Sequence, residues 1–474
     1  MSKLRLTKKT KRGLVSIGIS LLLVVPQTTM LFANEGATPK YSNWALGELL
    51  EGEKYGIFPI SWYDQDMRRK ISMEELTQLT TGLSQKIEAL PGITKKVAIE
   101  TRVIEGEITR EDVLNAIYDV IASYSYPKDL KVSGNEGSAY MTQKEVIRGD
   151  LKGLTLNTPC TVEQAALFGT RIIDLIYDEL DAGSKGLLWV AKKGDNTVYM
   201  LGSVHVANTS IYPFSEEVKE AYEKADELVL EIDLFDAEGQ AELVKLQYYT
   251  DGTTVKDHLS ATNYEKLTKV LKDYNLKVED LQNAKLWAVT NTLSVLSATD
   301  ATTVEEQQMA SLTGIDMYLA SKAYILGKPI GELESYKFQG EMMDGFSPEL
   351  QQYIFESTVD SMLAAEKETQ SDSFVDTLLK YWKEGNVEGI KEYVFPEDVT
   401  PKEVKGTKEI QLQEEYQSKF WTQRDKGMAD KIAQMLNAEG SKTYFVVVGA
   451  GHYISDTGVI AQLKDKGFEV TQVK

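Results

Sequence analysis

Two kinds of apolar periodicity divide the chain. From about residue 41 to 182, apolar positions recur at three- and four-residue spacing, as in Val113, Ile117, Val120 and Ile121. That spacing predicts helices with one buried face. Three of these stretches open alike, on Ser72-Met73-Glu74-Glu75, Thr109-Arg110-Glu111-Asp112 and Thr161-Val162-Glu163-Gln164. A hydroxyl at the N-cap accepts from the amide three residues on, and the acid or amide side chain there returns to the cap amide, so each predicts a helix start. From Gly186 to Lys474 the pattern changes. Short apolar runs at 198–201, 228–232 and 444–448 read as buried strands, the first and last ending at a glycine. Between the second and third lies a long helical region, about 257–440, with helices expected near 264–274, 285–298, 314–326 and 348–364. The charged stretch 216–227 reads as a solvated helix face with Val218, Ala221, Tyr222 and Ala225 turned inward. The expected fold is therefore a helical N-terminal domain followed by an α/β domain whose mostly parallel sheet is flanked by helices.

The first 33 residues stand apart. Lys3, Arg5, Lys8, Lys9, Lys11 and Arg12 form a basic stretch, residues 14–25 are apolar, and Leu31-Phe32-Ala33 offers a small-residue cleavage site. This is the layout of a secretion signal, since the apolar run is short for a membrane span. The alternative is an uncleaved anchor. Residues 34–40 read as a linker. No later stretch approaches the length of a transmembrane helix.

The 474-residue length suits two or three domains, and 42% apolar with 26% charged residues is a globular balance. Loss of the six basic residues of the leader takes the net charge from −20 to −26. An acidic surface argues against nucleic acid or anionic lipid as partner. Cys160 is the single cysteine, so intrachain disulfides and zinc–thiolate clusters are excluded. It reads as a small buried apolar residue.

Candidate chemistry centres on histidine. Of three in the chain, two share one setting: Gly202-Ser203-Val204-His205 and Gly449-Ala450-Gly451-His452, each after an apolar run. With 34 glycines and 3 histidines, chance supplies only about 0.2 such pairings, so two are a signal. Glycine at the strand's exit is expected to let the backbone turn, and the histidine then projects over the strand's carboxyl end, where open α/β sheets place their sites. Two structural histidines are the alternative. Glu231, inside an apolar run, is a buried carboxylate that needs a cation or a charged partner. If its strand neighbours the one leading to His205, both groups reach one rim. The alternative is a strand-end glutamate paired with Arg or Lys. Two imidazoles and a carboxylate suit Zn, Mn or Co with a position open for water, Glu334 would remove a proton, and Arg424 would stabilise an oxyanion. His258, in Lys256-Asp257-His258-Leu259-Ser260, reads as a surface or capping residue.

These residues also carry a resemblance. Residues 188–190, 198–206, Tyr212-Pro213, Ala221-Tyr222 and 228–233 are similar to the opening of a TraB/GumN (Tiki-like) domain. Lys285-Leu286-Trp287, Gly314-Ile315-Asp316, Gly327-Lys328-Pro329-Ile330, Leu333-Glu334-Ser335 and Gln339 continue it, and Trp382 and Gly385 match the family's helical insert. Arg424 and Met428 match a helix that usually reads Arg-Asn before its methionine, with Asp425 here in place of Asn. Val448-Gly449-Ala450-Gly451-His452, Asp456-Thr457-Gly458 and Gly467-Phe468 close it. The resemblance implies a fold shared with the Tiki proteases and remotely with the erythromycin-esterase (EreA) and haem-binding ChaN groups. It implies His205 and His452 as metal ligands or catalytic groups, Glu231 and Glu334 as metal ligands or the general base, Arg424 as the group that stabilises developing negative charge, and Gln339 and Asp316 as residues that orient them.

In the N-terminal region, Tyr41-Ser42-Asn43-Trp44-Ala45, Tyr55-Gly56-Ile57-Phe58-Pro59 and Ile71-Ser72-Met73-Glu74-Glu75-Leu76 resemble an S-layer homology module, with residues 146–173 as a degenerate copy. Met73 stands where that family has Arg, and Arg110 appears in the middle unit. The resemblance implies cell-wall polysaccharide as a partner. The expected function is an extracytoplasmic, secreted or wall-associated hydrolase, a metal-dependent peptidase using Mn, Co or Zn on a peptide or protein substrate. The rival expectation is a non-catalytic binding protein that captures a peptide signal or a haem-like cofactor.

Overall fold

The computed structural model describes residues 40–98, 104–127, 130, 132, 137–149, 152–298, 312–365, 374–395 and 408–474. The expected secretion signal, 1–33, lies outside the described residues. Among them, no helix is long and apolar enough to cross a membrane. The chain forms two compact units. Residues 40–184 make the first together with Thr209–Glu216, and Lys185–Asn208 with Glu217–Lys474 make the second.

In the first unit, α1 (Leu46–Tyr55), α2 (Met73–Glu88), α3 (Arg110–Ala122), α4 (Gly137–Gln143) and α5 (Val162–Glu179) surround an apolar core, with a minor ladder of β1 (Thr94–Lys95) and β2 (Tyr124–Ser125). Ser72, Thr109 and Thr161 cap α2, α3 and α5 in reciprocal capping boxes with Glu75, Asp112 and Gln164. The segments leading into these helices pair with each other through the bridges Lys70–Thr161 and Thr109–Pro159. Val113, Ile117, Val120 and Ile121 are fully buried, as their spacing requires. The side chain of Arg110 is held internally by Gln164 Oε1 at 3.2 Å, Leu154 O at 3.0 Å and Thr155 Oγ1.

The second unit is an α/β domain. Its six strands, β3 (Leu187–Lys193), β4 (Asn196–Ser203), β5 (Glu227–Leu230), β6 (Ile330–Glu332), β7 (Thr443–Gly449) and β8 (Val470–Gln472), lie in the order β6-β5-β7-β4-β3-β8. β4, β7, β5 and β6 are mutually parallel neighbours, and β3 is antiparallel to both β4 and β8. Central β7 is the most apolar strand: Phe445, Val446, Val447 and Val448 are all fully buried, which a strand covered on both faces demands. Helices α6 (Glu216–Lys224), α7 (Ala237–Leu246), α8 (Ala261–Asp273), α9 (Leu286–Ala298), α10 (Ile315–Leu326), α11 (Tyr336–Asp344), α12 (Pro348–Ala365), α13 (Phe374–Lys383) and α14 (Val387–Val394) follow. A long helical rod comes next: α15 (Lys408–Tyr416), a π-helical segment (Gln417–Thr422) and α16 (Gln423–Asn437). Two short helices, α17 (Ala450–Ile454) and α18 (Val459–Asp465), complete the unit.

Two local expectations are corrected. The strands leading to His205 and Glu231 are not neighbours, because β7 lies between β4 and β5. Glu231 follows β5 rather than lying inside it. The placement at one rim survives because all four parallel strands end on the same edge. Ser203 stands opposite Gly449, and Leu230 stands opposite both Val447 and Glu332.

Candidate active site

That shared edge gathers seven residues from six segments of chain. His205 follows β4, Glu231 follows β5, Glu334 follows β6 and His452 lies in α17 after β7. Asp316 sits in the first turn of α10, whose Ile315 amide is pinned to Val204 O at 3.2 Å. Gln339 sits in α11, just past its Ser335 cap, and Arg424 opens α16. The β5–β6 pairing continues beyond the strands, Glu334 N donating to Glu231 O at 2.6 Å, which sets the two carboxylates side by side.

The glycines act differently from expectation. Neither Gly202 nor Gly449 has a positive φ. What each supplies is close approach. A Cβ on Gly202 would lie 3.2 Å from the Ala450 Cα, so its absence lets α17 settle onto β4. A Cβ on Gly449 would lie 3.2 Å from Glu231 Oε1, 3.5 Å from His205 Nε2 and 3.9 Å from His452 Cδ2. Three candidate groups thus converge on one point that only a glycine leaves open.

Each imidazole is held from behind by an aspartate. His205 Nδ1 meets Asp316 Oδ2 at 2.8 Å, and Ser203 Oγ donates to the other Asp316 oxygen at 2.7 Å. His452 Nδ1 meets Asp425 Oδ1 at 2.5 Å. Its ring is fully buried, with Trp421 at 4.8 Å and Phe420 at 6.5 Å between centroids, and its Nε2 has no hydrogen-bond partner. Beside the histidines lies a buried ion cluster. Arg424 donates from Nη2 to Glu231 Oε2 at 2.7 Å and to Glu334 Oε2 at 2.9 Å, and from Nε to Glu334 Oε1 at 3.0 Å. Gln339 Nε2 donates to Glu334 Oε2 at 2.7 Å and to Glu231 Oε2 at 3.4 Å, and Gly449 N to Glu231 Oε1 at 2.6 Å. Arg424 also lies over the Phe420 ring, 5.1 Å from its centroid.

The electrostatics follow from this wiring. Burial lowers the His205 pKa, but the charge and hydrogen bond of Asp316, with the charge of Glu231, outweigh it and push the ring up to about 9. Burial resists ionisation of Asp316, yet His205 and Ser203 hold its carboxyl below the usual range. Burial, then the charges of Arg424 and His205, drive His452 well below the usual histidine value. Burial pushes Asp425 up to about 8 against the pull of Arg424. Burial opposes the charge of Arg424, and the two glutamates more than restore it. One guanidinium facing two carboxylates leaves an excess of negative charge beside the imidazoles.

As placed, no three His, Cys, Asp or Glu side chains among the described residues form a group that could hold a metal ion. Both oxygens of Glu231 are engaged by Arg424, Gln339 and the Gly449 amide. The surroundings nonetheless fit a cation. The Nε2 of His452 is unpartnered, His205 Nε2 faces the same opening, both rings are oriented by carboxylates through Nδ1, and the cluster is acidic.

All seven residues singled out from the sequence meet here. Three contributors were not singled out: Ser203, the Gly449 amide and Asp425. Asp425 directly follows Arg424, and helical neighbours point about 100° apart, so the two do not ordinarily serve one site. The π-helical segment that brings Phe420 and Trp421 onto His452 leaves no clear mark in residue pattern. His258 lies apart, stacked on Tyr249 at 4.2 Å and bonded to Thr253 Oγ1 at 2.9 Å, a local structural role.

Residues 187–472 match the model of the TraB/PrgY/gumN family. The chain is similar to the Metalloprotease TIKI homolog of Nematostella vectensis, 21% identical over 317 residues that cover 60% of this chain and 67% of that protein. It is similar to Metalloprotease TIKI2 of Xenopus tropicalis, 22% identical over 60% of this chain and 59% of the relative. Metalloprotease TIKI1 of Homo sapiens is 22% identical over 60% and 61%. The chain thus spans about three fifths to two thirds of the length of these curated relatives. No solved structure matches it.

Proposed function

The chain belongs to the TraB/PrgY/gumN family, and from that premise we propose that its C-terminal unit is a metal-dependent peptidase. The observation that supports this reading most is the convergence of His205 Nε2, His452 and Glu231 Oε1 within 4 Å of one open point, with each imidazole braced by an aspartate. His205, His452 and Glu231 would hold the ion, taken as Zn, Mn or Co. When bound, it supplies a water of lowered pKa and polarises the scissile carbonyl.

The protein's own groups do the rest. Asp316 holds His205, and Ser203 holds Asp316. Arg424 and Gln339 keep Glu231 and Glu334 ordered, and Glu231 would exchange one of these contacts for the ion. Glu334, bound on both oxygens, orients the cluster in the state described and takes a proton only when Arg424 turns toward the substrate oxyanion.

The test is turnover of a peptide library by purified protein with added Mn, Co or Zn, compared with His205→Ala. The expected result is metal-dependent cleavage lost by at least about 100-fold in the variant. Equal turnover by both proteins would dismiss the assignment. Tight peptide binding without cleavage would favour the capture reading instead.

We further propose that the protein acts outside the cytoplasm and that the N-terminal unit attaches it to cell-wall polysaccharide. The support is the basic and apolar layout of residues 1–33 and the resemblance of residues 41–76 to an S-layer homology module. The expected outcome is co-sedimentation of the mature protein with purified wall material, displaced by soluble wall polysaccharide. Protein remaining in the supernatant would refute attachment.

A further inference from the structure

We propose that Asp425 is a positioning residue whose acceptor oxygen selects which nitrogen of His452 faces the pocket, an inference that rests on the reading of this cluster as the functional site. The His452 ring is fully buried in an aromatic slot formed by Trp421 and Phe420. Such a slot fixes the ring's plane. It does not fix its flip, because half a turn about χ2 exchanges Nδ1 with Cδ2 and Nε2 with Cε1 at nearly constant shape. Among the described residues, the only polar contact that distinguishes the two orientations is Asp425 Oδ1, 2.5 Å from Nδ1.

With Asp425 accepting, Nδ1 carries the hydrogen and Nε2 presents a lone pair. That nitrogen is buried and without a partner. The opposite arrangement, in which Asp425 donates to Nδ1, puts a hydrogen on Nε2 and leaves a buried N–H with no acceptor among the described residues, while Asp425 Oδ2 is without a partner in both arrangements. Asp316 likewise meets Nδ1 of His205, so each imidazole has a carboxylate at the same ring nitrogen. An asparagine at position 425 could accept through its own side-chain oxygen as well.

With only three histidines in the chain, the imidazole nitrogens of metal-free, 15N-histidine-labelled protein are resolvable, His452 being assigned through His452→Gln. At mildly alkaline pH the wild type is expected to show His452 as the Nδ1–H form with bare Nε2. Asp425→Asn is expected to keep that form and Asp425→Leu to lose it. Zinc titration is expected to show roughly 10- to 100-fold weaker binding by Asp425→Leu and a much smaller loss in Asp425→Asn. A wild-type His452 carrying its hydrogen on Nε2 overturns the proposal, whether or not the leucine variant folds. So does an unchanged tautomer in a folded Asp425→Leu. If the tautomers behave as expected but no protein binds zinc, the positioning role stands and the metal reading fails. If Asp425→Leu binds zinc like wild type, the metal reading stands and the positioning role falls.

Discussion

Replacing Arg424 with leucine is expected to destabilise the C-terminal unit by about 3–5 kcal/mol, the largest stability effect of any single site substitution. Arg424 is 2% exposed and lies between two carboxylates that are themselves buried, Glu231 and Glu334. Leucine would fill much of the space but leave both carboxylates without a cation, and breaking a buried ion cluster from one side costs more than deleting it whole. Adding Glu231→Gln and Glu334→Gln to Arg424→Leu is therefore expected to recover most of the stability while leaving the protein inactive. Urea unfolding followed by circular dichroism measures both variants. In thermal unfolding the single substitution corresponds to a shift on the order of 10 °C. A loss below about 1 kcal/mol, the range of exposed pairs, would show that the guanidinium is not confined between the carboxylates in solution.

The second large effect is on function rather than stability. Gly449→Ala places a methyl 3.2 Å from Glu231 Oε1 and 3.5 Å from His205 Nε2, in the space through which the two histidine motifs communicate. The backbone there has φ −49° and ψ 131°, which alanine adopts without strain. Neither contact involves main chain, so small side-chain shifts relieve it, and the expected stability loss is about 1–3 kcal/mol. Those shifts fall on the proposed ligands. Displacements of even an ångström at a reacting centre cost on the order of 100-fold in rate, so turnover is expected to fall by at least that much while the protein stays folded. Activity within about tenfold of wild type, in a protein shown to be folded, would mean that the chemistry does not occur at the meeting point of His205, His452 and Glu231.

The outline of the fold could be read from residue order because its determinants are local. Reciprocal caps at Ser72, Thr109 and Thr161 are formed by residues three apart, so a short pattern contains the whole device. The buried strands β4, β5 and β7 announce themselves as apolar runs, and the repeated Gly-x-x-His drew attention to their carboxyl ends. The order of the strands was not legible. Separation along the chain does not tell which strands pair, and β7, last but one in sequence, proves to be the strand between β4 and β5. The purpose of the two glycines was hidden too, since a close approach by Ala450, or by Glu231 and His205, depends on atoms contributed by distant segments.

Sequence by itself determined the alternation of helical and α/β character and a site vocabulary of two histidines, buried acids and an arginine. Its source is local: capping, period and burial act over a few residues, and charge without a partner is conspicuous in an apolar run. Tertiary structure alone decided which partner each group received. It joined Asp316 to His205 across 111 positions and Arg424 to Glu231 across 193, and it turned a helix through a π-helical segment that accompanies the arrival of Arg424 and its neighbour Asp425 at one site. Hydrogen bonds and ion pairs are contacts of a few ångströms between atoms that the chain's own path must first bring together, and only the packed sheet with its helices supplies that path.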